Sequence, residues 1–182
     1  MKMTREKALN MVKDNIKTEN LVKHSLAVEG IMRHYAEKFE QDVDTWGLAG
    51  LLHDLDYEKT KDFPEKHGFI TKDMLEGLIE PEIIQAILAH PGHFVRTSLM
   101  DKVLYACDPL SGFIVACALM APDKNIENVD LKFMKKRFKS KGFARGASRE
   151  QMSSCIEFNE NLDDFLNEAL FAMKKIRNKI GL

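Results

Sequence analysis

Apolar residues recur along most of the chain with the 3.6-residue period of an α-helix. One such face carries Leu21, Val28 and Tyr35, and another runs through residues 162–176 near the carboxyl end. The sequence has no sustained alternation of β-branched and polar residues and no Asn-Gly or Asp-Gly pair, which are the usual signals of strands and hairpins. It also lacks internal repeats and low-complexity tracts. We therefore expect the 182 residues to fold as a single all-α domain.

The charge and cysteine content indicates a soluble protein of a reducing compartment. Lysine and arginine number 27, and aspartate and glutamate number 28, so the net charge of -1 disfavours a dedicated nucleic-acid binder. The longest apolar run, residues 112–121, is half of the roughly 20 residues that a membrane-spanning helix needs. Cys107, Cys117 and Cys155 form no CxxC pair and are interpreted as buried free thiols. These features predict a cytoplasmic protein without membrane association.

Capping residues, prolines and glycines predict where the helices begin and end. Thr18 or Asn20 is expected to cap the second helix, Pro109 to kink or restart a long apolar one, and Ser148 to begin a capping box with Gln151. Residues 56–66 contain Pro64 and many charges, which predicts a loop. A third helix is expected after a short link at 41–44, with Trp46 and His53 on it, and the other helices over residues 4–16, 67–78, 81–90, 98–108, 110–120, 130–140 and 162–176.

Several polar residues interrupt the apolar faces of these helices. His24 follows Leu21 by three residues, His53 and Asp54 end an apolar helix, and His90 and Asp108 also lie on inward-facing positions. Taken singly, each is most often a hydrogen-bonded core residue or a turn-forming residue. A buried carboxylate is nevertheless costly unless it is paired or binds a metal, and imidazoles and carboxylates from several helices suit a divalent cation. The adjacent pair His53-Asp54 favours this second interpretation.

These residues resemble the H…HD…D signature of the HD-domain superfamily of metal-dependent phosphohydrolases. The local contexts also match: VKHSLAV over 22–28, GLAGLLHDL over 47–55 and LYACDP over 104–109. The resemblance covers about residues 18–120, and the chain is similar in size to small bacterial members described as predicted hydrolases. It implies an HD core formed by a helical bundle, with residues 121–182 as a helical extension.

The resemblance also implies a ligand set. His24, His53, Asp54 and Asp108 are expected to bind one divalent ion, either Mg or a transition metal such as Fe, Mn, Zn, Co or Ni. In members with a binuclear centre the signature becomes H…HD…H…H…D, and His67 and His90 supply the additional positions. We expect these two histidines and the second oxygen of Asp54 to hold a second ion. The alternatives are a single metal with spare histidines, and His67 as a helix cap.

Residues around the ligands are candidates for catalysis and substrate binding. The implied catalytic residues are Asp54 and Glu58, with Glu58 orienting the attacking water, although an ordinary loop carboxylate is an equal alternative. His93 is a candidate substrate contact. Residues 132–149 contain eight basic and no acidic residues, so Arg145 or Arg149 is expected to hold a substrate phosphate, the alternative being a solvated face. His34 lies on another helical face and is expected to be solvated.

The expected function is hydrolysis of a phosphomonoester or phosphodiester by a metal-activated water, with a small phosphorylated molecule, such as a nucleotide, as the partner. Two alternatives remain open. A branch of the same fold uses the same six ligands in a di-iron centre that oxidises its substrate with dioxygen. A non-catalytic sensing module would keep the metal only as a structural element.

Overall fold

The computed structural model describes residues 3–182, and within that range it contains helices and no strand. This confirms the predicted all-α class. The α-helices are α1 Arg5–Asn15, α2 Glu19–Lys38, α3 Val43–Leu52, α4 Tyr57–Thr60, α5 Phe69–Leu75, α6 Pro81–Ala89, α7 Leu99–Met120, α8 Leu131–Phe138, α9 Arg149–Ser153, α10 Leu162–Lys175 and α11 Arg177–Ile180. Short 3-10 helices cover Pro64–Lys66, Pro122–Lys124, Ile126–Asn128 and Ser154–Phe158.

Helices α2 and α7 form the centre of the core. Helix α3 packs closely along α2 because Gly50 leaves no side chain between them, and a Cβ there would lie 2.9 Å from the carbonyl oxygen of Val28. The buried residues Tyr35, Phe158 and Phe165 join α2 to the carboxyl-terminal helices through ring contacts of 5.5–5.9 Å. The close approach at Gly50 places His53, one turn later, opposite His24 of α2.

Several helix boundaries differ from those predicted. Residues 56–66 contain α4 and a 3-10 turn rather than only a loop. The helix expected at 67–78 is shorter, because the left-handed Gly68 (φ +84°) precedes it and α5 ends at Leu75. Ser148 accepts a hydrogen bond from the backbone of Gln151 as expected, but α9 covers only five residues. A full capping box, with both reciprocal bonds, lies instead at Ser98 and Asp101.

Helix α7 is one helix of 22 residues that continues through Pro109, so no new helix starts there. The loss of one backbone donor at Pro109 is offset by burial of most of the helix, including Leu104, Leu110, Phe113 and Ile114. Within the described residues α7 alone has the length and hydropathy of a membrane-spanning segment, and 61% of that segment is buried inside the protein. A core helix of a soluble protein has these same properties. All three cysteines are free and buried, as predicted.

Candidate metal centre

Two groups of potential metal ligands lie side by side and share Asp54. The first group is His24, His53, Asp54 and Asp108, and the second is Asp54, His67 and His90. In each group the potential ligand atoms lie within 4.8 Å of one another. The six residues come from the middle of α2, the end of α3, the segment before α5, the end of α6 and the middle of α7, so the fold brings together residues 84 positions apart.

The first group is built around the Nε2 atoms of His24 and His53, which lie 3.2 Å apart. His24 Nε2 is 3.1 Å from an oxygen of Asp108 and 3.4 Å from Oδ2 of Asp54. His53 Nε2 is 3.5 Å from the same Asp54 oxygen and 3.7 Å from Asp108. These atoms therefore face one common point.

The second group has the same construction around the other oxygen of Asp54. His67 Nε2 and His90 Nε2 lie 3.1 Å apart. Their distances to Oδ1 of Asp54 are 3.1 Å and 3.4 Å. Asp54 thus turns one oxygen toward each group, and its side chain is only 9% exposed.

The donor chemistry of all four imidazoles fits a metal centre. His53 Nδ1 donates to the Gly50 carbonyl at 2.8 Å, and His90 Nδ1 donates to the Ile87 carbonyl. A carbonyl only accepts, so the Nε2 atom of each neutral ring carries the free lone pair. His67 Nδ1 contacts Asp56 at 2.8 Å, and His24 Nδ1 contacts the Ser111 hydroxyl at 2.9 Å. Metal-binding histidines commonly have such partners, which fix the ring and its tautomer.

Electrostatics at the cluster are dominated by Asp54 and Asp108. Burial opposes ionisation of Asp54, but the electrostatic influence of the neighbouring His53 and hydrogen bonds from His24, His67 and His90 hold its pKa well below the usual value. Burial also opposes charge on His24 and His67, yet their aspartate partners raise the pKa of each to about 10. For His90 burial dominates and lowers the pKa. Before any cation binds, His24 and His67 are therefore protonated, and their positive charges compensate the negative charges of Asp54 and Asp108.

The cluster opens into a pocket of about 580 Å³, a size that suits a small molecule. Tyr57 and Pro91 line it near the second group, and Leu21, Pro109 and Gly112 line it near the first. His53 is fully buried and is not among the residues that line the pocket. The pocket therefore gives a substrate access to the ligand atoms from one side.

The structure does not bring Glu58 to this cluster. Its carboxylate accepts hydrogen bonds from the backbone N–H groups of Lys17 and Thr18, at 3.0 and 2.8 Å, and so satisfies the amino-terminal end of α2. The acidic residue that follows the HD pair into the cluster is Asp56. It is fully buried, and it accepts from the backbone of Gly68 and Thr71 as well as contacting His67.

The three predicted substrate-binding residues also lie outside the lining of the pocket. His93 is exposed, and its ring stacks on Phe69 at 5.3 Å. Arg149 donates to the carbonyl oxygens of residues 137, 138, 143, 144 and 147, so it stabilises the link between α8 and α9. Arg145 is exposed between two lining residues, Ala144 and Gly146.

His34 is not solvated as expected. Only 13% of its side chain is exposed, and its Nε2 contacts Glu168 of α10. Helix α10, which covers this face of α2, lies more than 120 residues later in the chain, so the residues of α2 alone do not indicate the contact.

Three residues have structural roles at the cluster or pocket that the sequence did not assign: Asp56, which precedes the preferred Glu58 by two residues, and Ser111 and Gln151. Asp56 follows the HD pair by two residues and is apolar-flanked on one side, which was a usable signal. Ser111, one turn after Asp108 on α7, was recognisable only by helical spacing. Gln151 lines the pocket from α9, and nothing in its local sequence indicates this.

Comparison with known proteins places the same region in a family. A family model described as HD domain matches residues 21–118. Ribonuclease Y of Desulfotalea psychrophila is 34% identical over 95 residues, which are 52% of this chain and 18% of that protein. Ribonuclease Y of Sulfurovum sp. is 28% identical over 166 residues, which are 89% of this chain and 32% of that protein. The chain thus spans a third or less of these relatives, and no solved structure matches it.

Proposed function

Because the chain belongs to the HD domain family, we propose that it is a metal-dependent phosphohydrolase that acts on phosphodiester or phosphomonoester bonds. The observation that carries the proposal is the position of Asp54, whose two oxygens face two separate groups of histidine and aspartate ligands. A carboxylate shared in this way is suited to a pair of adjacent cations.

We further propose that two ions bind, one in each group. With metal–nitrogen bonds of about 2.0–2.1 Å, two imidazole ligands at angles between 90° and the tetrahedral value lie about 2.8–3.4 Å apart. The Nε2 pairs of His24 and His53, at 3.2 Å, and of His67 and His90, at 3.1 Å, fall within this range. Both pairs therefore support occupation by a small divalent ion.

Each part of the cluster has a definite task in this proposal. When bound, the cations supply water activation and neutralise charge on the phosphoryl group. The Nε2 atoms of the four histidines and the oxygens of Asp54 and Asp108 hold the ions. Asp56 and Ser111 keep the rings of His67 and His24 in place through Nδ1. His53 and the preceding Leu52 are fully buried, so solvent does not reach the ligands from that side.

The names of the relatives favour a phosphodiester as the bond that is cleaved. Ribonucleases hydrolyse phosphodiester bonds of RNA. Because this chain shares the HD region with them, we propose that it also cleaves a phosphodiester bond. Because the chain covers only 18–32% of those proteins, the substrate itself remains part of the proposal.

A metal-supplemented assay tests the proposal. The protein is loaded separately with Mn, Mg, Fe, Co, Ni and Zn and incubated with bis(p-nitrophenyl) phosphate and p-nitrophenyl phosphate. We expect the diester to be hydrolysed with at least one metal, and Asp54→Asn to abolish the activity. Asp62→Asn, an exposed aspartate of the adjacent segment, is the matched control and should retain it. Absence of hydrolysis with every metal would contradict this proposal. If the iron form also consumed oxygen in a way that depended on Asp54, the alternative function, a di-iron oxygenase, would be supported instead.

A further inference from the structure

Hydrolysis of a phosphoester requires a proton for the departing oxygen as well as an attacking water. In the proposed centre the Nε2 atoms of the four histidines hold the cations, so they carry no proton for this step. The Nδ1 atoms of the same rings are already engaged with Gly50, Ile87, Asp56 and Ser111. Any side chain that supplies the proton therefore lies elsewhere in the lining of the pocket.

Outside the metal ligands, two polar side chains line the pocket among residues 3–182, those of Tyr57 and Gln151. The rest of the lining consists of leucine, proline, alanine and glycine residues, which have no side-chain proton to give. A side-chain amide donates hydrogen bonds but does not act as a general acid, whereas a phenol does both. Tyr57 is therefore the residue of this lining that can protonate a departing oxygen without leaving a cation.

Titratable residues close to the ligands in sequence are engaged outside the pocket. The Glu58 carboxylate accepts hydrogen bonds from backbone N–H groups before α2. Asp56 is fully buried, and His93 is exposed and packs against Phe69. None of these three side chains belongs to the lining of the pocket, which leaves Tyr57 as the candidate.

Tyr57 lies next to the second group of potential ligands. Its ring meets the ring of His67 edge to face, with 5.7 Å between the ring centres and 78° between the planes. His67 Nε2 is in turn 3.1 Å from Oδ1 of Asp54. The backbone N–H of Tyr57 donates to the Asp54 carbonyl at 3.0 Å, so the first residue of α4 is tied to the shared ligand. These contacts fix Tyr57 beside the position proposed for the second cation.

The Tyr57 hydroxyl is available to a ligand. Within the described part of the chain it makes no hydrogen bond, and the residue is 40% exposed. The other two tyrosines differ, because Tyr35 is fully buried in the core and Tyr105 carries the guanidinium of Arg96 over its ring at 3.9 Å. Neither of them lines the pocket. Tyr57 thus has both the access and the unused donor that contact with a substrate requires.

We propose that Tyr57 is a catalytic residue that donates its phenol proton to the departing oxygen of the phosphoester. The proposal rests on the proposed function, because it concerns one step of that hydrolysis. The oxygen of the attacking water forms a new bond to phosphorus while the bond from phosphorus to the departing oxygen breaks. The electron pair of the broken bond goes to that oxygen, which takes the Tyr57 proton. The phenolate then regains a proton released by the attacking water, so the step needs no further reactant.

The need for this proton depends on the leaving group. Unsubstituted phenolate is about as strong a base as the phenolate of tyrosine, so its departure is assisted by proton transfer. The p-nitrophenolate ion is a much weaker base and departs readily without a proton. Loss of the Tyr57 hydroxyl should therefore slow cleavage of a phenyl ester far more than cleavage of a p-nitrophenyl ester.

The test compares methyl phenyl phosphate with methyl p-nitrophenyl phosphate, two diesters that differ only in the nitro group. With the Mn²⁺-loaded protein, we expect Tyr57→Phe to lower kcat at least tenfold for the phenyl ester and less than threefold for the p-nitrophenyl ester. The bound metal should equal that of the wild type, because phenylalanine keeps the ring beside His67. Tyr105→Phe is the matched control, since it removes the same hydroxyl away from the pocket, and it should behave as the wild type with both esters.

A measurement on the wild type keeps the test decisive if Tyr57→Phe misfolds. In D₂O, kcat should fall more for the phenyl ester than for the p-nitrophenyl ester, because proton transfer to the departing oxygen contributes only to the first reaction. An equal loss of kcat with both esters in Tyr57→Phe, or no loss with either, would overturn the role of Tyr57 and leave the phosphohydrolase in place. An equal effect of D₂O on both esters would also contradict it. A wild type that hydrolyses neither ester nor any other phosphoester would reject the phosphohydrolase itself, and this step with it.

Discussion

The carboxylate of Asp56 lies 2.8 Å from Nδ1 of His67, and it also accepts hydrogen bonds from the backbone of Gly68 and Thr71. One buried side chain therefore orients a potential metal ligand and accepts hydrogen bonds from backbone N–H groups at the beginning of α5. The contact explains why His67 faces Asp54 although it belongs to neither helix of the surrounding segment.

Asp56→Asn should weaken metal binding at the second group and leave the first group occupied. The amide cannot accept as strongly from His67, and loss of such a partner typically lowers metal affinity about 10–100-fold. Metal content after dialysis against a weak chelator measures the effect. Glu58→Gln is the control, because the Glu58 carboxylate accepts hydrogen bonds from the backbone before α2 and does not contact the cluster. The metal content of this variant should equal that of the wild type. Two retained ions in the Asp56 variant would contradict this role.

His90→Ala should reduce bound metal from two ions per chain to one and lower phosphodiesterase activity with it. The remaining ligands of the second group, His67 and one oxygen of Asp54, hold a labile ion poorly. The comparison variant is His93→Ala, an exposed histidine three residues away, which should keep both ions. A wild type that holds one ion, together with a fully active His90→Ala, would reduce the centre to the first group.

Metal affinity should rise steeply with pH between 6 and 9. Because the pKa of His24 and of His67 is about 10 without a cation, both rings carry a proton at neutral pH that the metal must displace. Each displaced proton makes the affinity up to about tenfold greater per pH unit. Calorimetry in two buffers of different ionisation enthalpy should detect about two released protons at pH 7. A flat affinity profile across this range would show that the imidazoles are already neutral.

Arg149→Met should destabilise the protein by about 2–3 kcal/mol, because several part-buried carbonyl oxygens lose a charged donor. Urea denaturation followed by circular dichroism measures the change. Arg145→Met is expected to stay within about 0.5 kcal/mol of the wild type, because Arg145 is exposed. If both variants have the same stability, the link between α8 and α9 does not depend on Arg149.

The sequence by itself determined the helical class and pointed to the six potential ligands. The 3.6-residue period of apolar residues depends only on which positions of a segment face the core. It is therefore visible in the sequence without knowledge of what the segment packs against. His53 and Asp54 are adjacent, and His24 and Asp108 lie in apolar helical segments whose local pattern marks them. His90 also lies on an inward-facing position, but its role as a ligand, like that of His67, came only from resemblance to the binuclear signature. The structure places both histidines beside Asp54.

The tertiary structure decided which partner each of the remaining polar residues has. Asp56 and Glu58 are two residues apart and chemically alike, yet one orients His67 and the other accepts from the backbone at the beginning of α2. Arg149 and Arg145 diverge in the same way, one donating to five carbonyls and the other exposed. A hydrogen bond forms with whichever donor or acceptor lies within about 3 Å, and packing of distant segments sets that distance. No pattern in the neighbouring residues records it.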